Sequence, residues 1–369
     1  MWIVWLLGFV LLPILGIVYV SWHIWEILPL SVGWRWGAVG CFVATFLLMF
    51  GGFLGAIERV PITVAKILYE TGNSMIVVLL YLVLVFGVLD ICRYVHIIPK
   101  SWLYHNGYMA MGVTGFMILL LGYGYWHFQD KYRQGLELKT QKNISDSASV
   151  REKRIVMLSD LHLGYHIGRK ELARWVDIIN AEHPDLILIG GDIIDISVRP
   201  LENGDFASEF KRLKAPVYAC LGNHEYYASE PKAKRFYEEA GVVLLRDSVA
   251  TVDGITIVGR DDRTNVHRKP LSELMKFAKS GHYTILLDHQ PYHLEETENA
   301  KIDFQFSGHT HDGQVWPISW ITRTMYEKSF GYLRKGKTEY YISSGMGIWG
   351  PKFRIGTRSE YVVAVIKQE

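Results

Sequence analysis

Cysteine is scarce in this 369-residue chain, where Cys41, Cys92 and Cys220 are the three present. Their spacing matches neither a thiolate metal knuckle nor a disulfide framework, so they leave the compartment open. Net charge is also small, +2 with the histidines neutral, too weak a field to make nucleic acid an expected partner. Ionisable residues are few through the first 128 positions, and nearly all Asp, Glu, Lys and Arg lie beyond them. Half of the residues are hydrophobic and the mean hydropathy is positive. Together these point to a lipid-embedded part, residues 1–128, followed by an aqueous one.

A helix needs about 20 mostly apolar residues to cross the hydrocarbon core. Four segments qualify, at about Trp2–Val20, Gly37–Ile57, Ser74–Ile91 and Tyr108–Trp126. Trp22, Trp34, Trp36, Trp102, Tyr104 and Trp126 crowd their ends, as rings anchored at an interface do. The first segment has no basic leader and three more follow it, so a multi-pass anchor is expected rather than a cleaved signal peptide. Four spans place both termini on one side. That side would carry Arg59, Lys66 and the run Lys131, Arg133, Lys139, Lys142, Arg151, Lys153 and Arg154, against Arg35, Arg93 and Lys100 opposite. The positive-inside rule then puts the C-terminal half in the cytoplasm. Glu58, Glu70, Asp90 and Arg93 fall near span ends, so the helices read as an anchor rather than a proton or ion path.

Residues 129–152 turn polar, with Gln141, Lys142, Asn143, Ser145, Asp146 and Ser147 close together, and read as a linker. Residues 153–369 change grammar. Ile155–Leu158, Leu186–Ile189, Val217–Leu221 and Thr284–Leu287 are continuous apolar runs, suited to strands buried on both faces. Leu172, Trp175, Val176 and Ile179 between the first two recur at helical spacing. The expected class is α/β.

The polar residues of interest follow these strands directly. Ser159-Asp160-Leu161-His162, Gly190-Gly191-Asp192, Gly222-Asn223-His224-Glu225, Asp288-His289 and Gly308-His309-Thr310-His311 each come after an apolar run. Ligand sites of open α/β sheets gather at the carboxyl ends of strands. Carboxylate, imidazole and amide donors without thiolate suit Mn, Fe, Co or Zn. The number of donors suffices for two divalent ions sharing a bridging carboxylate, a known arrangement for hydrolysing phosphate esters with a hydroxide made at neutral pH.

Residues 153 to 367 resemble the calcineurin-like metallophosphoesterase superfamily. Its blocks D-x-H, G-D-x-x-D, G-N-H-[ED], a lone His and G-H-x-H stand here, in order, as Asp160-Leu161-His162, Gly191-Asp192-Ile193-Ile194-Asp195, Gly222-Asn223-His224-Glu225, His289 and Gly308-His309-Thr310-His311. The resemblance implies a four-layer sandwich, two mixed sheets flanked by helices. It implies one metal at Asp160, His162 and His311, another at Asn223, His289 and His309, and Asp192 bridging. His224 would act on the leaving oxygen, Glu225 would orient it, and Asp195 would brace a loop or a ligand histidine. Gly308–Gln314 is similar to the G-H-T-H-G-G-Q of a bacterial, often membrane-attached branch, with Asp312 departing from it. That carboxylate would either strengthen His311 or disfavour highly anionic substrates.

Several residues stay open on sequence grounds. Arg354 either contacts a phosphate or forms a salt bridge. His166 matches no block and reads as a surface or satisfied core histidine, with reach to substrate as the alternative because it lies close after the first block. Asp261 and Asp262 read as turn residues rather than ligands. Trp316, Trp320, Tyr326 and Trp349 belong to the core or, lying near the metal loops, line an apolar pocket or dip toward lipid. The expected function is phosphoester hydrolysis at the membrane, with a phospholipid or nucleotide-linked lipid favoured by the anchor and these aromatics. A tethered diesterase on small soluble substrates and a UDP-diacylglucosamine-type pyrophosphate hydrolase are the alternatives. From another class, a non-catalytic receptor or scaffold would be favoured by a missing ligand, and none is missing.

Overall fold

In lipid a chain satisfies its own backbone groups only as helices or closed barrels. The computed structural model describes residues 11–53, 55–147 and 149–369, and its apolar runs are helical. One compact unit comprises the residues up to Trp126 with Gly350–Phe353, and the other His127–Trp349 with Arg354–Glu369.

The first unit carries α1 (Leu12–Ile27), α2 (Val32–Phe53), α3 (Ile62–Tyr94) and most of α4 (Gly107–Gln129). Residues 2–10 of the expected first span lie outside the described residues. By length and composition α2, α3 and α4 can cross a membrane, and the described part of α1 is shorter. At 33 residues and 1.5 Å per residue, α3 is about 50 Å long, well beyond the expected Ser74–Ile91. Lys66, Glu70 and Asn73 drop its first turns out of an apolar window, yet Ala65, Tyr69, Gly72 and Asn73 are buried there. Gly72 lets α3 approach the backbone of α2: a Cβ would collide with Leu48 and Met49. Buried His23 lies 3.0 Å from Asp90, which also accepts from Tyr19 at 2.6 Å.

The second unit holds two six-stranded mixed sheets. The first contains β1 (Lys131–Thr140), β2 (Glu152–Leu158), β3 (Leu186–Ile189), β4 (Val217–Ala219), β5 (Val243–Leu244) and β12 (Ser359–Gln368), in the order β1-β12-β2-β3-β4-β5. The second contains β6 (Ser248–Val252), β7 (Ile255–Gly259), β8 (Tyr283–Leu287), β9 (Phe304–Ser307), β10 (Gly331–Lys335) and β11 (Thr338–Ile342), in the order β10-β11-β9-β8-β7-β6. Alternation along each strand makes the layers. Ile155 and Met157 of β2 pack with Ile257, Ile285, Leu287 and Phe306 of the facing sheet. Val156 and Leu158 point the other way, onto Leu172, Trp175, Val176 and Ile179 of α5 (Arg169–Ala181) and Phe236 of α7 (Glu230–Ala240). Outside the second sheet, Val258 and Leu286 meet Leu271 and Leu274. The result is the expected four-layer sandwich, completed by α6 (Asn223–Ala228) and α8 (Ile318–Met325).

The stretch read as a linker over 129–152 is in large part a sheet element. Lys131–Thr140 pairs in parallel with β12 along ten residues, from Lys131 with Ser359 to Thr140 with Gln368. Its alternation is weak in sequence because charged residues (Arg133, Glu137, Lys139) share it with a buried Leu138, as an edge strand does. Leu138 is wholly buried between the sheets. Leu138→Ala is expected to destabilise this unit by about 2–5 kcal/mol, read as a lower urea midpoint. Glu137→Ala, which removes only an exposed pair with Lys367, is expected to leave the midpoint nearly unchanged.

Candidate metal centre

Parallel register sets where the polar blocks fall. Leu158 pairs with Ile189, Ile189 with Ala219, and Leu287 with Phe306. The strands therefore end level, and the chain turns from each into a polar block. Cross-links between the turns hold them together: Asp160 N–H donates to Gly191 O (3.1 Å), His162 N–H to Asp192 O (3.0 Å) and Gly308 N–H to His289 O (2.9 Å). Close approach demands glycine at two places. A Cβ on Gly308 would overlap Ser159 and Asp160, and one on Gly222 would overlap Asp192.

Among the described residues three groups could hold a metal ion, and two of them gather the expected ligands. Asp160, His162 and His311 form one, with His311 Nε2 at 3.5 Å from Asp160 Oδ1 and at 3.1 Å from His162 Nε2. Asp192, His289 and His309 form the other. Asp192 Oδ2 faces both, 3.7 Å from His162 Nε2 and 3.1 Å from His289 Nε2. Asn223 is buried beside them at the start of α6, and its Oδ1 has no hydrogen-bond partner. Five of these residues hold left-handed backbone, with φ of 55° at Asp160, 46° at His162, 53° at Asp192, 71° at His309 and 50° at His311. Asp and His tolerate that region better than most residues, and such outliers cluster where function over-determines the backbone.

The donor chemistry fits divalent cations. His289 Nδ1 lies 2.7 Å from Gly190 O, and a carbonyl only accepts, so that nitrogen carries the proton. A neutral ring then turns its Nε2 lone pair toward the Asp192 carboxylate, and this Nε2 makes no hydrogen bond. Two electron-rich atoms so close require a cation between them or a second proton on the ring. Burial opposes charging of His289, but the Asp192 carboxylate outweighs it and pushes the ring well up. A metal ion held there would displace that second proton, since an imidazole ligates metal in its neutral form. Burial and the His289 charge drive His309 down to about 3, keeping it a neutral donor.

His224 belongs to the third group, with His162 and Asp195. Its backbone N–H donates to Asp192 Oδ1 (2.9 Å), and its Nδ1 stands 3.4 Å from Asp195 Oδ1. Asp195 also lies 3.3 Å from His162 Nδ1 and 3.5 Å from His166 Nδ1. Burial resists ionisation of Asp195, yet its bonds to His162 and His224 hold its carboxyl below the usual range. Burial likewise opposes charge on His224, and the Asp192 and Asp195 carboxylates overcome it, raising the ring to about 9.

Three expectations need correction, those for Glu225, Arg354 and Asp312. Glu225 does not orient His224: its carboxylate folds back over the start of α6 and accepts N–H groups of Gly222 (2.7 Å), Asp192 (3.1 Å) and Ile194 (3.0 Å). Arg354 neither faces the site nor forms a carboxylate pair. It is fully buried and donates to the carbonyls of His311 (2.7 Å), Ser344 (2.5 Å) and Gly347 (3.2 Å), clamping the loops behind Asp160. His166 is a core histidine, as its place outside the blocks suggests, buried with its Nε2 2.8 Å from Ile348 O. Asp312 turns away from His311 into a two-bond pair with Arg323 (3.0 and 2.9 Å). Asp261 and Asp262 anchor their own loop, taking bonds from Tyr226 (2.7 Å) and Gln290 (3.0 Å). Ser344-Gly345-Met346-Gly347 also resembles the bacterial branch in sequence, but the role of the loop was not legible there. Met346 N–H and Gly347 N–H brace Ser159 O and Asp160 O, a backbone role that leaves no side-chain signal.

A family model for the calcineurin-like phosphoesterase matches residues 153–313. An uncharacterised metallophosphoesterase of Helicobacter pylori is 30% identical over 257 residues, covering 67% of this chain and 68% of that protein. A transmembrane protein with metallophosphoesterase domain from Danio rerio is 31% identical over 232 residues, 58% of this chain and 53% of that protein, about half its length. Among solved structures, a 5'-nucleotidase precursor from Thermus thermophilus is similar at 14% identity and a TM-score of 0.37, over 58% of this chain and 54% of that one. With its His and Asp groups positioned for divalent metals and its helices apolar enough to span a membrane, the chain belongs to the calcineurin-like metallophosphoesterase family.

Proposed function

We propose that this chain is a membrane-anchored phosphoester hydrolase with a two-ion centre. Asp160, His162 and His311 hold one ion, Asn223, His289 and His309 the other, and Asp192 is shared. The observation that carries this reading is the position of Asp192 Oδ2 between His162 Nε2 (3.7 Å) and His289 Nε2 (3.1 Å). Divalent ions bound there, Mn, Fe, Zn or Co, supply polarisation of a phosphoryl oxygen and activation of water.

The remaining steps belong to the chain. His224 is the proton donor to the leaving oxygen in this reading, and Asp195, 3.4 Å behind its Nδ1, sets the ring orientation. Glu225 and Arg354 hold the backbone that carries the ligands and touch no substrate. Diesters are the expected substrate class, and lipid-linked ones are favoured by the membrane-spanning helices. A cytoplasmic site rests on the basic run from Lys131 to Arg154.

Asp192→Ala is expected to reduce Mn-dependent hydrolysis of bis-p-nitrophenyl phosphate to background while the protein stays in the membrane fraction. Retained turnover would sink the shared-carboxylate centre, and a wild-type protein that binds metal but never turns over would favour a receptor or scaffold. His224→Ala is expected to keep its metal content and lose about 10²–10⁴ in rate. Lost metal in that variant would instead make His224 a ligand.

A further inference from the structure

Helix α8 is folded inside out. Its buried residues are Ser319 and Thr322, whereas Ile318, Trp320, Ile321 and Met325 are exposed at 37%, 59%, 55% and 61%. Trp316, just before it, is 40% exposed and packs edge-on against Trp320 at 5.4 Å. A helix facing water shows the opposite pattern.

The outward turn is enforced. Gly313 sits so close to Ser319 and Thr322 that a Cβ there would clash, which admits only small residues on the inner face. Thr322 Oγ1 donates to Ile318 O (3.1 Å), and Arg323 is fixed to Asp312 by two bonds. The helix is thereby locked to the loop that carries His309 and His311, with its apolar face directed away from the protein.

We propose that this face docks into the lipid interface of the bilayer. Residues 316–326 contain two tryptophans, three large aliphatic side chains and Arg323, and no Asp or Glu, the composition of a helix lying in a membrane interface. The chain's own apolar helices keep a bilayer within reach. A second copy is a poorer occupant. A stable dimer needs about 800 Å² per partner, and an eight-residue helix, about 12 Å long, offers far less. Docking brings membrane-borne phosphoesters to the His309–His311 loop, a consequence that rests on the hydrolase reading above.

The test uses the full chain in nanodiscs of phosphatidylcholine and phosphatidylglycerol, with Cys41→Ser and Cys92→Ser, and a spin label introduced through Trp320→Cys or Ile321→Cys. Val266→Cys, at a site 84% exposed, is the water-facing control. Labels at 320 and 321 are expected to be open to oxygen and shielded from a water-soluble nickel chelate, and the label at 266 the reverse. Nickel access at 320 equal to that at 266 overturns the proposal. Shielding from both reagents overturns it too, since a protein surface would then cover the face. Turnover of bis-p-nitrophenyl phosphate by the labelled chains reports the hydrolase separately. Its absence also in the unlabelled protein would count against that function and leave the accessibility result to judge the docking.

Discussion

A carboxylate buried among imidazoles and cut off from water costs several kcal/mol unless something compensates it, and the catalytic unit is arranged to keep Asp192 in that position. One of its oxygens accepts the backbone N–H of His224. The other faces the rings of His162 and His289. Its own N–H is held by Glu225, which also ties Ile194 and Gly222. A cation between Asp192 and the rings would turn a repulsive arrangement into a favourable one, and the apolar sandwich around it would then work as a frame for charge.

The frame is rigid for reasons that begin in the strands. Four-residue β3 is buried along its whole length, and its pairing with β2 and β4 leaves no room for a register slip. Level strand ends then force left-handed φ on Asp160, His162 and Asp192 at the turns. Each such residue costs at most about 1–3 kcal/mol, a strain the inter-sheet core offsets. Gly222 and Gly308, where any side chain would strike a candidate ligand, are part of the same constraint.

Much of this was legible in sequence because the chemistry is local. Asp160 and His162, or His309 and His311, are neighbours in the chain, and the apolar runs before them announce buried strands. Roles set by distant contacts were not legible. Glu225 follows His224 directly, yet its carboxylate serves the start of its own helix. Arg354 resembles a phosphate ligand until its three carbonyl partners, from residues 311, 344 and 347, are seen. His166 and His224 share Asp195 with His162 although 62 positions separate the first histidine from the last. The β1 strand hid for a simpler reason: an edge strand with one buried leucine among charges looks like a polar connector.

The membrane helices and the phosphoesterase unit are continuous in chain, since α4 ends at Gln129 and β1 begins at Lys131. The hydrolysis proposed for this chain would then take place at a membrane surface, and the proposed sharing of Asp192 is the feature on which that chemistry turns. Electron paramagnetic resonance of the Mn-loaded full chain tests it most directly. Two ions bridged by Asp192 predict a spin-coupled signal that Asp192→Asn converts to that of isolated ions. A wild-type spectrum of a single uncoupled ion, with one Mn per chain, would contradict the account.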